Sequence, residues 1–381
     1  MTPKLYALAL GNFAVGTGMF VTAGLVLPIA GDLGISPSAA GQLMTVFALA
    51  YALLSPVLAA LTAKLSKRRL LLIGLGVLAA GNALTALSPT FGLMLGTRVI
   101  AAAGAAMVTP VASAVATALV GPERRGRALA LVMGGLTVAS AIGVPLGTWM
   151  GDVAGWRSAL WLVVGLAAVG FAAVALVVPD VRLPASTRIR DRFTPLADRG
   201  VLAVLLTQLL IFAGGFSAYT YLGSLIDLPL AAVLWAWGVG GVVGNAVGGR
   251  LTDAYGPRRM VFLGIAGATV LMALLPVANL NLGVALVWAF VWGALGWLIG
   301  PSQQYRTVAA VPGNVPVGLG LLASSQYLGL FVAGIAGGLA LEWYGRTGVI
   351  VLASALGVVT LLFTMATYPA VTRRPKTDVA V

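Results

Sequence analysis

The sequence predicts an all-α membrane protein whose twelve transmembrane helices form two six-helix pseudo-repeated bundles. Three observations predict it: a shortage of charge, twelve apolar runs of spanning length, and a self-resemblance at half the chain length. Of 381 residues, 60% are hydrophobic and 9% charged, with a mean hydropathy of +1.02. A soluble domain carries about 25% charged residues, so this chain has too little polar surface to stay dispersed in water. Its 50 glycines sit inside the apolar runs, as small residues do where membrane helices pack closely.

A membrane helix needs about 20 mostly apolar residues. Such runs cover 5–30, 38–60, 70–88, 92–120, 128–150, 158–178, 201–225, 229–249, 260–277, 282–304, 315–340 and 347–368. Turn-formers separate them, as at Gly34-Ile35-Ser36-Pro37, Ser88-Pro89 and Asn279-Leu280-Asn281. The first run outlasts the apolar core of a cleavable signal, about 7 to 15 residues, and reads as a retained helix. None of the runs shows the alternation of a β-barrel strand.

Cationic residues stay on the cytoplasmic side and so orient the chain. With the N-terminus inside, the inner segments hold Lys4; Lys64, Lys67, Arg68 and Arg69; Arg124, Arg125 and Arg127; Arg182, Arg188, Arg190, Arg192 and Arg199; Arg250, Arg258 and Arg259; Arg306; and Arg373, Arg374 and Lys376, which is 20 of the 23. Arg157 and Arg346 fall outside, and Arg98 lies within a span. Both termini are expected in the cytoplasm of a multi-pass plasma (inner) membrane protein. The clusters read as topology determinants and contacts to anionic lipids.

A net charge of +13 spread over short clusters, with no single stripe, argues against nucleic acid. Cysteine and histidine are both absent, which removes disulfides, the thiolate nucleophile, the commonest metal ligands and the commonest general base. No metal site or cofactor is expected. A membrane enzyme would lack a nucleophile-base pair, since Ser324-Ser325 alone does not supply one.

At a shift of 190 residues the chain resembles itself: Leu61-Thr62 maps onto Leu251-Thr252, Arg68-Arg69 onto Arg258-Arg259, Gly147 onto Gly337, Asp152 onto Glu342 and Gly155 onto Gly345. The halves are therefore six spans each, 1–179 and 201–381, joined by a polar cytoplasmic linker at 180–200. Parallel repeats of six helices are the plan of major facilitator transporters.

Motifs carry the same resemblance. Gly249-Arg250-Leu251-Thr252-Asp253-Ala254-Tyr255-Gly256-Pro257-Arg258-Arg259 resembles the major facilitator loop signature G-x-L-x-D-R-x-G-R-R, with Ala254 in place of Arg. In the first half the signature is degenerate, with Ala59, Ala63, Lys64 and Ser66 replacing its Gly, Asp, Arg and Gly. Pro122-Glu123-Arg124-Arg125-Gly126-Arg127-Ala128 is similar to the loop after the family's fourth helix. Gly143-Val144-Pro145-Leu146-Gly147-Thr148, followed by Gly155-Trp156-Arg157, is similar to the fifth-helix signature of the drug/proton antiporter branch, which includes sugar-efflux and multidrug permeases. Two departures stand out: no Glu follows Gly16-Thr17, and Ala101-Ala102 follow Arg98 where Gln and Gly are common. The resemblance implies a major facilitator fold, a monomer, and export by alternating access with protons as the coupling ion. It also implies gating by Asp253 with Arg258 and Arg259. Pro145, mid-span, kinks its helix and either serves gating or only shapes the bundle, and Gly143 and Gly147 beside it either gate or pack.

Candidate site residues follow from burial cost and from the helices that line the family's cavity. Arg98, costing about 2.5 to 3.5 kcal/mol to insert, reads as a substrate counter-charge, part of the coupling machinery, or a side chain that snorkels outward or holds helix-end carbonyls. No acid lies at mid-membrane, so proton coupling would need a boundary group such as Asp32, or the carrier works without protons. An uncharged, amphipathic or anionic small molecule fits better than a lone cation. Phe212, Phe216 and Tyr219 follow Gln208 at spacings of four, four and three, and Trp288 and Trp292 are four apart, so each set shares a helix face. These five aromatics line the cavity or pack. Asn12, Thr17, Thr109, Gln326 and Tyr327 are polar-bearing side chains within spans that line it too or bond between helices. The ladders Gly143, Gly147, Gly151 and Gly240, Gly244, Gly248 either seal the moving halves or pack within them.

Overall fold

A computed structural model describes residues 3–121, 124–181, 194–311 and 315–372. Among them the chain is helical apart from short connections, and no strand occurs. The spans are α1 (Pro3–Leu33), α2 (Pro37–Leu61), α3 (Lys67–Leu87), α4 (Phe91–Ala118), α5 (Arg125–Ala154), α6 (Trp156–Val177), α7 (Arg199–Thr220), α8 (Leu230–Tyr255), α9 (Pro257–Ala273) and α10 (Leu282–Ala310). A final helix, Val315–Thr372, is broken at Gly345, whose backbone (φ 61°, ψ −154°) is not helical. It therefore makes two spans, α11 (315–344) and α12 (346–372). Ten helices are long and apolar enough to cross a membrane when this pair counts as one. Adding α9, whose 17 residues continue into a short helix Leu275–Ala278, brings the crossings to twelve.

Local chemistry sets several of the breaks. Ser36 caps α2, its hydroxyl accepting from the Ala39 N–H, and Pro37 follows at the first helical position, where a missing N–H costs nothing. Asp198 caps α7 by accepting from Gly200 and Val201, and Asn281 caps α10 by accepting from Val284. Gly155 (φ 81°) and Gly345 (φ 61°) open α6 and α12. They lie 190 residues apart, at the shift that the repeat predicts. Side chains at such φ values are strained by about 1 to 3 kcal/mol. Gly345→Ala is therefore expected to lower thermal stability in detergent by that amount. Gly296→Ala, inside α10 with open space at its Cβ, is expected to be neutral or to stabilise by up to about 1 kcal/mol.

In the first bundle α3 packs on α4 and α6, α2 on α4, and α1 on α5 and α6; in the second α7 packs on the α11–α12 segment, and α10 on α8 and α9. Twelve crossings place Pro3 and Thr372 on one face, called proximal below, and the other face is distal. The bundles meet through α2 against α11, α5 against α8, and α1 against α7. Among the described residues, every hydrogen bond and ring contact between bundles lies from the Tyr51–Tyr327 stack distalward.

The expected span ends hold to within a few residues except at α8, which runs on to Tyr255 and takes in Arg250 and Asp253, read from sequence as loop residues, and at α10. That helix runs on to Ala310, so Arg306, read from sequence as part of an inner loop, is inside it and only 2% exposed. Arg98 is thus not the sole buried cation. Pro145 does not merely kink α5. It cannot donate a backbone N–H, and the preceding turn, Ala139–Gly143, is a π-helix in which the Val144 N–H bonds Ala139 five residues back. Most of the linker falls outside the described residues, as do Arg182, Arg188, Arg190, Arg192, Glu123 and the last nine residues.

Candidate substrate site

Midway through the molecule, aromatic rings from both bundles meet. Tyr51 of α2 stacks on Tyr327 of α11 at 3.6 Å between centroids and 14° between planes. Phe20 of α1 stacks on Phe216 of α7 at 5.7 Å and meets Tyr219 edge-on at 6.1 Å. Behind them Tyr219 lies 4.5 Å from Trp237 of α8, and Trp237 lies 5.7 Å from Trp292 of α10. Each such pair adds about 0.5 to 1.5 kcal/mol beyond its buried area. The Tyr219 hydroxyl and the Trp237 indole N–H are buried with no hydrogen-bond partner, although groups of this kind normally find one when buried. The midline is therefore apolar, uncharged and supplied with idle polar groups.

Toward the distal face the contact becomes a latch. The Tyr221 hydroxyl donates to the Gly334 carbonyl at 2.7 Å, and Gln42 of the opposite bundle donates to Gly334 O at 3.3 Å and to the Tyr221 oxygen at 3.4 Å. Glycines permit this approach. A Cβ at Gly41 would sit under 3.0 Å from the Tyr221 ring, one at Gly334 under 3.0 Å from Thr45 Oγ1, and one at Gly238 under 3.0 Å from the Ser140 carbonyl.

Arg98 is 1% exposed. Its Nη2 donates to the Gly18 carbonyl at 2.9 Å and to Thr22 Oγ1 at 3.3 Å, Nη1 to Asn82 Oδ1 at 3.2 Å, and Nε to the Leu43 carbonyl at 3.4 Å, while Phe47 presents its ring face 4.7 Å away. The guanidinium fork thus ties α1, α2 and α3 to α4, and each of its three nitrogens is engaged. The counter-charge reading gains nothing from this geometry, whereas holding carbonyls is what the side chain does, though of three helices and not of one helix end.

A family model described as Major Facilitator Superfamily matches residues 8–314. The chain belongs to that superfamily. Its members are secondary transporters and not enzymes, and the chain is a multi-pass membrane protein of that kind. Relatives include an uncharacterized MFS-type transporter, YbcL, of Bacillus subtilis (strain 168), 31% identical over 92% of this chain and 94% of its own. A chloramphenicol resistance protein of Streptomyces lividans is 32% identical over 82% of each chain. The inner membrane transport protein YdhP of Escherichia coli (strain K12) is 28% identical over 88% of this chain and 87% of its own.

In this superfamily transporter the structure gathers some of the predicted site residues and disperses others. Phe212, Phe216, Tyr219, Trp292 and Tyr327 belong to the aromatic midline, and Thr109 is buried beside Tyr51. Trp288 lies 5.1 Å from Trp292, but its indole donates to the Leu271 carbonyl at 2.7 Å, so it is anchored inside its own bundle. Asn12 donates to the Val132 carbonyl of α5 at 2.9 Å, and Thr17 to Phe13 in its own helix. Gln326 is half-buried. Asp32 is exposed at the distal rim, where it accepts from Trp156 at 2.9 Å and Arg157 at 2.8 Å.

The gating residues divide likewise. Asp253 and Arg259 are exposed, and Arg258 lies over the rings of Phe262 and Tyr368 in its own bundle. Gly143, Gly147 and Gly151 pack on Thr17, Val21 and Leu25 of α1, while Gly240, Gly244 and Gly248 pack on Phe290, Ala294 and Leu298 of α10. Both ladders are packing within a bundle. Pro145 follows the π-turn, and that turn, through Ser140, is what touches Gly238 across the interface. Sequence reading missed Phe20, Gln42, Tyr51, Tyr221, Trp237, Gly41, Gly238 and Gly334. Nothing local marks these glycines among 50, and the family pattern directs attention to the first, fourth, seventh and tenth helices.

Arg346 pairs with Asp227 through two bonds of 2.5 and 2.6 Å, a second distal pair whose place in its bundle matches that of Arg157 with Asp32. Hydrogen bonds from Arg346 hold the Asp227 carboxyl below the usual carboxylate range. With a depressed folded value, the pair's contribution is present above the ordinary aspartate pKa, about 3.9, and is lost as pH falls through the lower folded one. Asp227→Asn is expected to be slightly less stable than the parent at neutral pH, with the gap closing only in acid stronger than a free aspartate needs. The gap is small because the pair is exposed, and melting curves across that range check it.

Proposed function

We propose that this chain exports a small amphipathic molecule, uncharged or anionic, by alternating access between two bundles, 1–179 and 201–381, joined by a linker at 180–200. The distribution of cationic residues supports a cytoplasmic proximal face with both termini inside, in the plasma (inner) membrane, as a monomer in contact with lipids. The observation that carries the reading is the uncharged aromatic midline, which the latch covers on the distal side and which no hydrogen bond or ring contact between bundles closes on the proximal side among the described residues. Cargo then enters from the cytoplasm or inner leaflet, the halves rock, and the latch parts to release it. The relative named for chloramphenicol resistance supports outward movement of an uncharged aromatic compound.

The resemblance to the drug/proton branch favours proton antiport as the driving force. One observation favours a second reading, a proton-independent facilitator or exchanger: none of the described acids is buried, and Asp32, the boundary candidate, is engaged by Arg157. Purified protein in proteoliposomes, given chloramphenicol under an imposed pH gradient, tests both. Protein-dependent flux that ignores the gradient supports the facilitator, accumulation driven by the gradient establishes antiport, and no protein-dependent flux of any amphipathic probe removes the exporter reading.

A further inference from the structure

Deep in the second bundle, three polar side chains form a one-way relay. Arg306 Nη1 donates to Gln303 Oε1 at 2.7 Å, and Gln303 Nε2 donates to Gln208 Oε1 at 3.2 Å. All three are buried, at 2%, 0% and 6% exposure. Amide groups can turn over to suit their partners, but guanidinium is donor-only. Arg306 therefore compels Gln303 to present its oxygen to it and its nitrogen to Gln208, and Gln208 must accept with its own oxygen. The Gln208 amide nitrogen is left as the far end of the relay. Among the described residues it has no hydrogen-bond partner, and the residue keeps 6% of its surface exposed. Chained bonds of this kind polarise one another in a low dielectric, so this N–H is a stronger donor than a free amide.

Its position gives the relay a use. Gln208, Phe212 and Phe216 are spaced by four and share a face of α7. Phe216 touches Phe20 of the opposite bundle, and Phe212 stacks on Phe216 at 5.1 Å and 5°. Gln208 continues this stripe proximally, past the last hydrogen bond or ring contact between bundles. It ends the aromatic midline with an obligatory donor, and none of the described acids is buried.

Building on the exporter reading, we propose that Gln208 is a specificity-determining group that binds an electron-rich oxygen, a carboxylate by preference, on a flat aromatic cargo whose ring lies on Phe212. Arg306 acts through Gln303 as the positioning residue that keeps the amide facing that way. Selectivity for acceptors over donors is set by a cation that never touches cargo.

The test compares two probes with one ring system, naphthoate and naphthylmethylammonium, by quenching of tryptophan fluorescence in purified full-length protein at neutral pH. The parent is expected to bind naphthoate about tenfold or more tightly than the ammonium, the scale of one hydrogen bond to a charged group. Gln208→Glu reverses the order. Arg306→Leu brings the ratio close to one, because both amides are then free to turn, and Arg306→Lys, still donor-only, keeps the parent's order. Damage to packing weakens both probes together and leaves their ratio unchanged. If Arg306→Leu fails to fold, Gln208→Glu and Gln208→Leu decide the matter. A parent ratio near one, or an order unchanged in Gln208→Glu, overturns the proposal. Flux of naphthoate in proteoliposomes is scored separately: preference without flux upholds the subsite and removes export, and flux without preference does the reverse.

Discussion

Gly238→Leu is expected to hold the distal ends of the bundles apart. A side chain there meets the carbonyl of Ser140 and the Cα of Ala141, backbone atoms of the opposite bundle, which cannot rotate aside as a side chain does. Overpacking typically costs about 1 to 3 kcal/mol, and each 1.4 kcal/mol is tenfold, so the ratio of distal-closed to distal-open molecules should fall by roughly five- to more than a hundredfold. The nearest atoms to this position all belong to the opposite bundle, so the change biases the conformation without dismantling either half. The chain has no cysteine, which makes the readout clean. Thr220 is 1% exposed and lies against Met44 across the interface. In a Thr220→Cys background, a membrane-impermeant thiol reagent should label slowly, and adding Gly238→Leu should raise the rate by the same factor. An unchanged rate would mean that the Ser140–Gly238 contact does not hold the distal face shut.

Arg98→Ala is expected to reduce stability far more than it changes recognition. The substitution leaves Asn82 Oδ1 without its partner and takes from the Gly18 and Leu43 carbonyls the second, charged donor they hold beside their helix bonds, and hydrogen bonds to a charged group are worth about 1.5 to 3 kcal/mol each. A loss of about 3 kcal/mol or more should appear as lower folded yield and an earlier melt in detergent. Arg98→Lys should recover only part of it, because one ammonium cannot fork across acceptors on three helices. Protein that survives should bind an uncharged aromatic probe as the parent does. A normally stable Arg98→Ala that has lost binding would restore Arg98 as a counter-charge and retire the clamp.

The cations show how far sequence reading reaches. Insertion cost alone picks out Arg98 as a residue that must be accommodated inside, but it is silent on the partners, which are backbone carbonyls of α1 and α2, the Thr22 hydroxyl and the Asn82 amide of α3. Arg306 escaped because a span is read to end at its first charge. Ser302-Gln303-Gln304-Tyr305-Arg306 looks like a loop, yet α10 carries it to Ala310 with Gln303 and Arg306 inward. The glycine ladders, regular enough to be noticed, pack within bundles, whereas Gly41, Gly238 and Gly334, which lie between bundles, stand in no ladder. Trp237 was overlooked for want of a periodic companion, although it joins Tyr219 to Trp292.

By itself the sequence determined twelve crossings, two related halves and an interior without acids, because lipid demands about 20 apolar residues per crossing and a repeat is visible as plain text. Tertiary structure alone decided which faces oppose one another: Tyr51 on Tyr327, Tyr221 at Gly334, Arg306 behind Gln303 and Gln208. Hydrophobicity along a membrane helix is nearly uniform around its axis, since lipid and protein interior are equally apolar. Rotation of each helix is therefore set by close packing and hydrogen bonds between segments far apart in the chain, and those exist only once the bundles have assembled.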